Sequence, residues 1–301
     1  MNVLELKNVK KTYQTHKAVD DVSFAIPEGK IFGLLGPNGA GKTSLIRIIT
    51  SITRADEGVV LFNGEPLNSS HPAQIGYMPE ERGLYKKMKV GEEIMYLARL
   101  KGFSKKEAKQ QLEYWLERFD IQDWRNKKVE ELSKGMQQKI QFITTVLHQP
   151  KLLILDEPFS GLDPINSNLI RDEIYELNKR GTTILFSTHR MEQVEQICEN
   201  IVLINKGKNV LEGSVADIKE QYKEHIFKLQ YQGDLPVGMG EHVTVISEQA
   251  GQLTVQLRDV VHANNFLKYL LAHGTIVTGF NEVLPTLNEI FIKKVGGISD
   301  E

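Results

Sequence analysis

GPNGAGKT, residues 36–43, follows the apolar run Ile31 to Leu35 and precedes a segment whose Leu45, Ile46, Ile48 and Ile49 share an apolar face. The run predicts a buried strand and the segment a helix, with the glycine stretch between them. The stretch meets every fixed position of the P-loop pattern G-x-x-x-x-G-K-[ST]. Gly36, Gly39 and Gly41 lack the Cβ atoms that would keep backbone N–H groups away from phosphate oxygens, and Pro37, Asn38 and Ala40 complete the cradle. The helix that follows adds its positive N-terminal end. Lys42 supplies a compact charge for the β- and γ-phosphates, the hydroxyl of Thr43 is placed to ligate Mg²⁺, and Ser44 is a further candidate for phosphate contact. An ordinary glycine turn with a solvated lysine would explain neither the fixed positions nor their flanks.

The chain has 301 residues, 41% of them hydrophobic and 25% charged, which suits a folded protein of one large domain or two. No apolar run approaches the 18 residues of a membrane-spanning helix, and the N-terminus MNVLELKNVK lacks the apolar stretch of a secretory signal. The expected location is cytoplasmic, with attachment to a membrane partner left open. A formal charge of −2 leaves no overall basic footprint, so no nucleic-acid partner is expected. The single cysteine, Cys198, sits beside Val194 and Ile197 and reads as packing.

Around the P-loop the pattern predicts short strands at Val3–Leu6, Val19–Ile26 and Gly58–Phe62, the last before the turn Asn63-Gly64. Helices take over from Val90 to about Phe119, with Ser104 as an N-cap and Ala108, Leu112, Trp115, Leu116 and Phe119 at helical spacing. Leu152–Leu155 and Thr183–Phe186 then read as parallel strands covered on both faces. After about Gln221 the pattern changes. It predicts hairpin strands His242–Ser247 and Leu253–Leu257 around a turn at Glu248–Gln252, and a helix carrying Ala263, Phe266, Leu267, Leu270 and Leu271 that ends at Gly274. A strand at Thr275–Thr278 and a helix from about Pro285 to Lys294 complete a small α+β unit, which places a domain boundary near residues 221–225.

LLILDEP, residues 152–158, is a strand ending in two carboxylates at the edge where open α/β sheets bind ligands. There Asp156 can hold Mg²⁺ through its water shell and Glu157 can polarise an attacking water. His189, just past the strand of FSTHR, can hydrogen-bond a γ-phosphate oxygen or that water from the same edge, although a lone histidine is more often a surface residue. LSKGMQQK, residues 132–139, starts with Ser133 and Gly135 at a helix N-terminus, which can present N–H groups and a hydroxyl to a phosphate. Alone it is no more than a helix cap.

In combination, GPNGAGKT, LSKGM, LLILDEP, SGLD (residues 160–163) and His189 occur in the order of the ATP-binding cassette family, which residues 1 to about 215 resemble. The resemblance implies an α/β P-loop NTPase with a mostly parallel core sheet, an antiparallel β subdomain and a helical subdomain at about 84–140. It implies a cassette over 1–221 and an accessory α+β domain over 222–301. It also implies ATP and Mg²⁺ as ligands and a head-to-tail pair of cassettes, most simply a homodimer. In that pair Ser133, Lys134 and Gly135 face the γ-phosphate held by the other subunit, Asp163 ties the two sites, and Tyr13 stacks on adenine. Packing is the alternative for Tyr13.

The sequence departs from the family pattern in two places. LSKGM carries Lys134 and Met136 where glycine and glutamine are common. Glu80, in YMPEERG, replaces the glutamine that links Mg²⁺ and the attacking water to a transmembrane partner; a carboxylate still ligates Mg²⁺ but adds negative charge. Glu80 and the C-terminal unit ending in LNEIFIKKVG make the chain similar to ATPase subunits of bacterial exporters of the sodium-efflux type. That similarity implies a separately encoded permease and a peripheral place on the inner face of the membrane. Lys86, Lys87 and Lys89 either approach that partner or form a solvated charge run. The competing functions are a soluble cassette ATPase acting on ribosomes or nucleic acid, and a regulatory nucleotide-binding module with little turnover.

Overall fold

In the computed structural model, which describes residues 1–81, 83–236, 238–239 and 243–296, the chain divides into two compact units, Met1–Gly213 and Ser214–Glu301. The first opens with a long hairpin of β1 (Asn2–Tyr13) and β2 (His16–Pro27), followed by β3 (Ile31–Leu35) and, after the glycine loop, α1 (Lys42–Ile49). Next come β4 (Glu57–Phe62), β5 (Glu65–Pro66) and β6 (Ile75–Met78). Helices α2 (Val90–Leu100), α3 (Lys105–Arg118) and α4 (Lys134–Val146) form the helical insertion. The unit closes with β7 (Leu152–Asp156), α5 (Pro164–Lys179), β8 (Thr183–Thr188), α6 (Met191–Ile197), β9 (Asn200–Asn205) and β10 (Lys208–Ser214).

Six strands in the order β10-β9-β3-β8-β7-β6 make the core sheet, with β9, β3, β8, β7 and β6 paired in parallel. Every residue of β3, β7 and β8 is buried, as their unbroken apolar runs require of strands covered on both faces. The β1–β2 hairpin joins β4 and β5 in an antiparallel sheet, where the Asn63-Gly64 turn connects β4 to β5 with both residues at positive φ. Leu4, Ile26 and Phe62 are fully buried there in one cluster with Leu45, Ile46 and Ile49 of α1. Burial of each such side chain is worth about 1.5–3 kcal/mol, so this cluster anchors the helix behind the phosphate loop. Ser104 caps α3 as expected, and Glu107 reaches back to its N–H at 2.7 Å to close a capping box. Cys198 ends α6, buried, where desolvation pushes its thiol far above the ordinary range, so it packs as a small apolar group.

The second unit contains α7 (Val215–Gln221), β11 (Ile226–Gln232), β12 (Thr244–Gln249), β13 (Gln252–Gln256), α8 (Val260–Ala272), β14 (Ile276–Val283) and α9 (Leu287–Gly296). Its sheet runs β12-β13-β11-β14, with all the pairs antiparallel. The expected hairpin is present, with its turn at Ala250-Gly251 inside the expected Glu248–Gln252 and tighter than it, since Gly251 takes φ 74° and permits a two-residue connection. His242, expected in the first of these strands, lies outside the described residues. Asp259 caps α8 and Gly274 follows its C-terminus at φ 82°. Phe227, Leu229, Leu253, Val255, Phe266 and Leu270 form a core of this unit's own.

The glycine loop is held by backbone on two sides. A Cβ on Gly36 would lie 2.2 Å from the Ile204 carbonyl oxygen, and one on Gly41 would lie 2.2 Å from that of Ala18, with φ values of 151° and 109°. Gly207 adds a third tie by donating its N–H to Ala40 at 2.9 Å. Gly41→Ala must therefore shift main chain and accept a left-handed conformation, at a cost of about 2 kcal/mol or more. A lower urea midpoint together with lost nucleotide binding is the expected outcome, read by fluorescence-monitored unfolding and by equilibrium binding.

Candidate functional site

The parallel register lines up the carboxyl ends of β3, β8 and β7, pairing Leu35 with Thr188 and Asp156 with Ser187. Open α/β sheets bind ligands at this edge. A cleft of about 380 Å³ opens there, lined by Tyr13, the loop from Asn38 to Ser44, Glu80, Asp156 and Glu157. Gly36 and Pro37 contribute from behind, since Lys42 Nζ donates to their carbonyl oxygens at 2.7 and 3.1 Å. The first N–H groups of α1 have no carbonyl four residues earlier within the helix to bond, which leaves them directed to a ligand.

The buried charges are arranged against one another. Desolvation lowers the Lys42 ammonium from its ordinary range, while Glu157, Asp156 and Glu80 push it back up. Desolvation raises the Asp156 carboxyl, opposed by the Ser187 hydroxyl, which donates to Oδ1 at 2.8 Å. Glu157 has φ 50°, an uncommon conformation for a residue with a side chain, and its N–H is tied to the Ser187 carbonyl at 2.9 Å. Its Oε1 accepts from the His189 N–H at 2.8 Å and meets His189 Nδ1 at 2.6 Å, and its Oε2 accepts from Thr188 Oγ1 at 2.9 Å. A carboxylate can only accept, so Nδ1 carries the proton in that pair and Nε2 is the ring atom left for a ligand.

A divalent cation fits this donor set. Asp156, Glu80 and Thr43 offer oxygen ligands in one cleft, and among the described residues its three carboxyl groups share the lining with Lys42 and Arg47 as fixed cations. Among the described residues no cluster of three or more His, Cys, Asp or Glu side chains forms a metal cage. Mg²⁺ suits such a place, since it takes one or two protein oxygens and completes its shell with phosphates and water.

Tyr13 is 39% exposed at the cleft wall, with Lys11 Nζ 5.6 Å from its ring centre. Ser133, Lys134 and Gly135 are outside this cleft. Ser133 is the exposed N-cap of α4, its Oγ accepting from the Met136 N–H at 3.3 Å, and Lys134 starts the helix. Asp163 caps α5, where the Asn166 N–H and side chain hold its carboxyl below the ordinary range. Sequence reading missed Ser187 and Thr188, which orient the two carboxylates, and Gln138 and Gln141, which reach across from α4. The hydroxyl pair was findable as the residues of FSTHR preceding His189, whereas nothing local marks the glutamines.

Residues 19–160 match the family described as ABC transporter, and residues 213–295 match the C-terminal domain of DrrA1-3-like ATP-binding proteins. An uncharacterized ABC transporter ATP-binding protein of Bacillus subtilis, YhaQ, is 46% identical over 98% of this chain and 99% of its own length. The chain belongs to the ABC transporter ATP-binding family. It is an ATPase cassette with a DrrA-like C-terminal domain. The family member NatA of Bacillus subtilis is 37% identical over 68% of this chain and 85% of its own. Among solved structures, an ATP-binding subunit of an ABC transporter superposes with a TM-score of 0.68 at 30% identity, covering 73% of this chain and 93% of that one.

Asp156 allows a test of the cassette's charge arrangement. Its folded carboxyl titrates above the ordinary 3.8, so the folded chain keeps a proton there over a pH range in which the unfolded chain has lost it. Stability contributed by this group therefore falls as pH rises through that range. Asp156→Asn keeps an acceptor for Ser187 and removes the charge. Without nucleotide or metal the variant should resist more urea than the parent at pH 7, with the gap narrowing as pH falls toward about 4. Urea titrations at both pH values check this.

Proposed function

We propose that the chain is the ATP-hydrolysing subunit of a bacterial ABC exporter, and that ATP drives it into a head-to-tail dimer whose closure powers transport. The observation that carries this reading is the separation of the two halves of a triphosphate site. Lys42, Asp156, Glu157 and His189 gather at one sheet edge, while exposed Ser133 and half-buried Gly135 stand at a helix N-terminus outside that cleft. Only a second cassette brings them to one phosphate.

In this proposal the loop N–H groups, Lys42 and Ser44 hold the phosphates and Tyr13 stacks on adenine. Thr43, Asp156 and Glu80 would ligate Mg²⁺, which when bound neutralises charge on the β- and γ-oxygens. Glu157, fixed by Thr188 and His189, orients and deprotonates the attacking water, and His189 Nε2 meets the γ-phosphate. Lys134 and Asp163 would lie at the dimer seam. The Glu157–His189 arrangement, an acceptor with a defined orienting partner, supports turnover over a regulatory module without hydrolysis.

The chain is proposed to work as a homodimer at the inner face of the cell membrane, on a separately encoded permease. No helix of the described residues is long and apolar enough to cross a membrane, so a transport role requires such a partner. The groove between the Glu80 loop and the helical insertion, lined by Ile52, Leu84, Leu97 and Thr144, gives that partner an apolar seat. Export, of sodium-efflux type, rests on the features shared with that group: Glu80 and the C-terminal unit, here proposed as an accessory domain that stabilises the dimer. A ribosomal or nucleic-acid role is disfavoured by the charge of −2.

Glu157→Gln keeps its neighbours' geometry and loses the base. Phosphate release should fall by about 10²- to 10⁴-fold with ATP binding retained. The same variant with ATP should elute as a dimer in gel filtration; a monomer would refute the head-to-tail model. Purification from membranes should bring a multi-span protein with the chain, and recovery on ribosomes instead would overturn the transporter assignment.

A further inference from the structure

Two glutamines of α4, one helical turn apart, point into the catalytic side of their own cassette. Gln138 and Gln141 are 1% and 4% exposed, and their spacing of three puts them on one face of the helix. Gln138 Nε2 donates to the Pro158 carbonyl at 3.1 Å, on the residue after Glu157. Gln141 Nε2 donates to the carbonyls of Pro79 at 2.9 Å and Glu81 at 3.3 Å, on the residues either side of Glu80. Gln137 closes the start of the same helix by donating to Leu132 O at 3.0 Å and Val129 O at 3.2 Å. The cap of this helix is Ser133.

We propose that Gln138 and Gln141 are positioning residues through which the Ser133 end of α4 sets the placement of Glu157 and Glu80 in the same chain. Closure of one ATP site then governs hydrolysis at the other. This rests on the head-to-tail reading. A helix is stiff along its axis, so a shift at its N-terminus moves both amide groups with it. What those amides hold is backbone whose position is not locally determined: Glu157 has φ 50°, a conformation that persists only where neighbours impose it. Glu80 sits in an exposed bend after β6, and the bonds to its two neighbours hold the backbone from which its side chain projects. The helix thus touches the partner's nucleotide at one end and its own two acids along one side.

The test uses the full chain with Gln141→Met, which keeps the volume and removes the donor. Phosphate release is measured against ATP concentration, alongside thermal unfolding. A misplaced carboxylate should lower kcat about tenfold or more with half-saturation changed less than about twofold, since nucleotide binding rests on the P-loop. The Hill coefficient should fall from above 1 in the parent to 1, with the unfolding temperature kept. Gln138→Met, read the same way, stands in if Gln141→Met does not fold. Unchanged cooperativity, or a lower kcat with cooperativity intact, would overturn the proposal and leave amides that merely satisfy buried carbonyls. A Glu157→Gln chain that stays monomeric with ATP defeats this inference and the dimer reading together. A dimer whose cooperativity survives Gln141→Met defeats this inference alone.

Discussion

The register between β7 and β8 is the constraint on which the site depends. With Asp156 opposite Ser187, the residues immediately beyond, Glu157 on one strand and Thr188 and His189 on the other, meet without a further loop. A parallel ladder fixes this alignment over five consecutive pairs, each between residues with no exposure to spare. Slipping the register by one residue would turn buried Ile, Leu and Phe side chains to the opposite face and would part Asp156 from the hydroxyl that donates to it. The precision of the acidic pair is therefore borrowed from the hydrophobic sheet behind it.

The same edge carries the main electrostatic burden of the fold. Lys42 and Asp156 are both buried and both shifted toward their neutral forms by desolvation, and each is partly restored by the other's charge. Without a nucleotide such an arrangement opposes folding, and the apolar cluster around β1, β2, β4 and α1 must outweigh it. A ligand bringing phosphate charge to Lys42 and a cation to Asp156 relieves both shifts. Binding energy and folding energy are coupled at these two residues.

Much of this was legible in the chain. The P-loop, the LLILDEP strand and its two acids are local: a strand pattern followed by chemistry at its end. All of β3 and nearly all of β7 were readable for that reason. Strand β11 was missed although Ile226–Gln232 alternates apolar and polar residues as a half-buried strand does; its inner place in the sheet comes only through β13 and β14, which follow in sequence. The short β6 escaped for a similar reason, since four residues give periodicity little to act on. Ser187 and Thr188 stand next to His189 in FSTHR, but their roles follow from strand register, and those of Gln138 and Gln141 from the facing of α4.

Glu80 is the position at which local and tertiary information have to be combined. An amide at that point could both accept and donate, whereas a carboxylate can only accept. Any donor that steadies this bend must then come from elsewhere, and Gln141 supplies it to the carbonyls on either side. The bend is held by its backbone, and the Glu80 side chain is exposed at the cleft wall. In this chain the backbone on either side of Glu80 is held by an amide on α4.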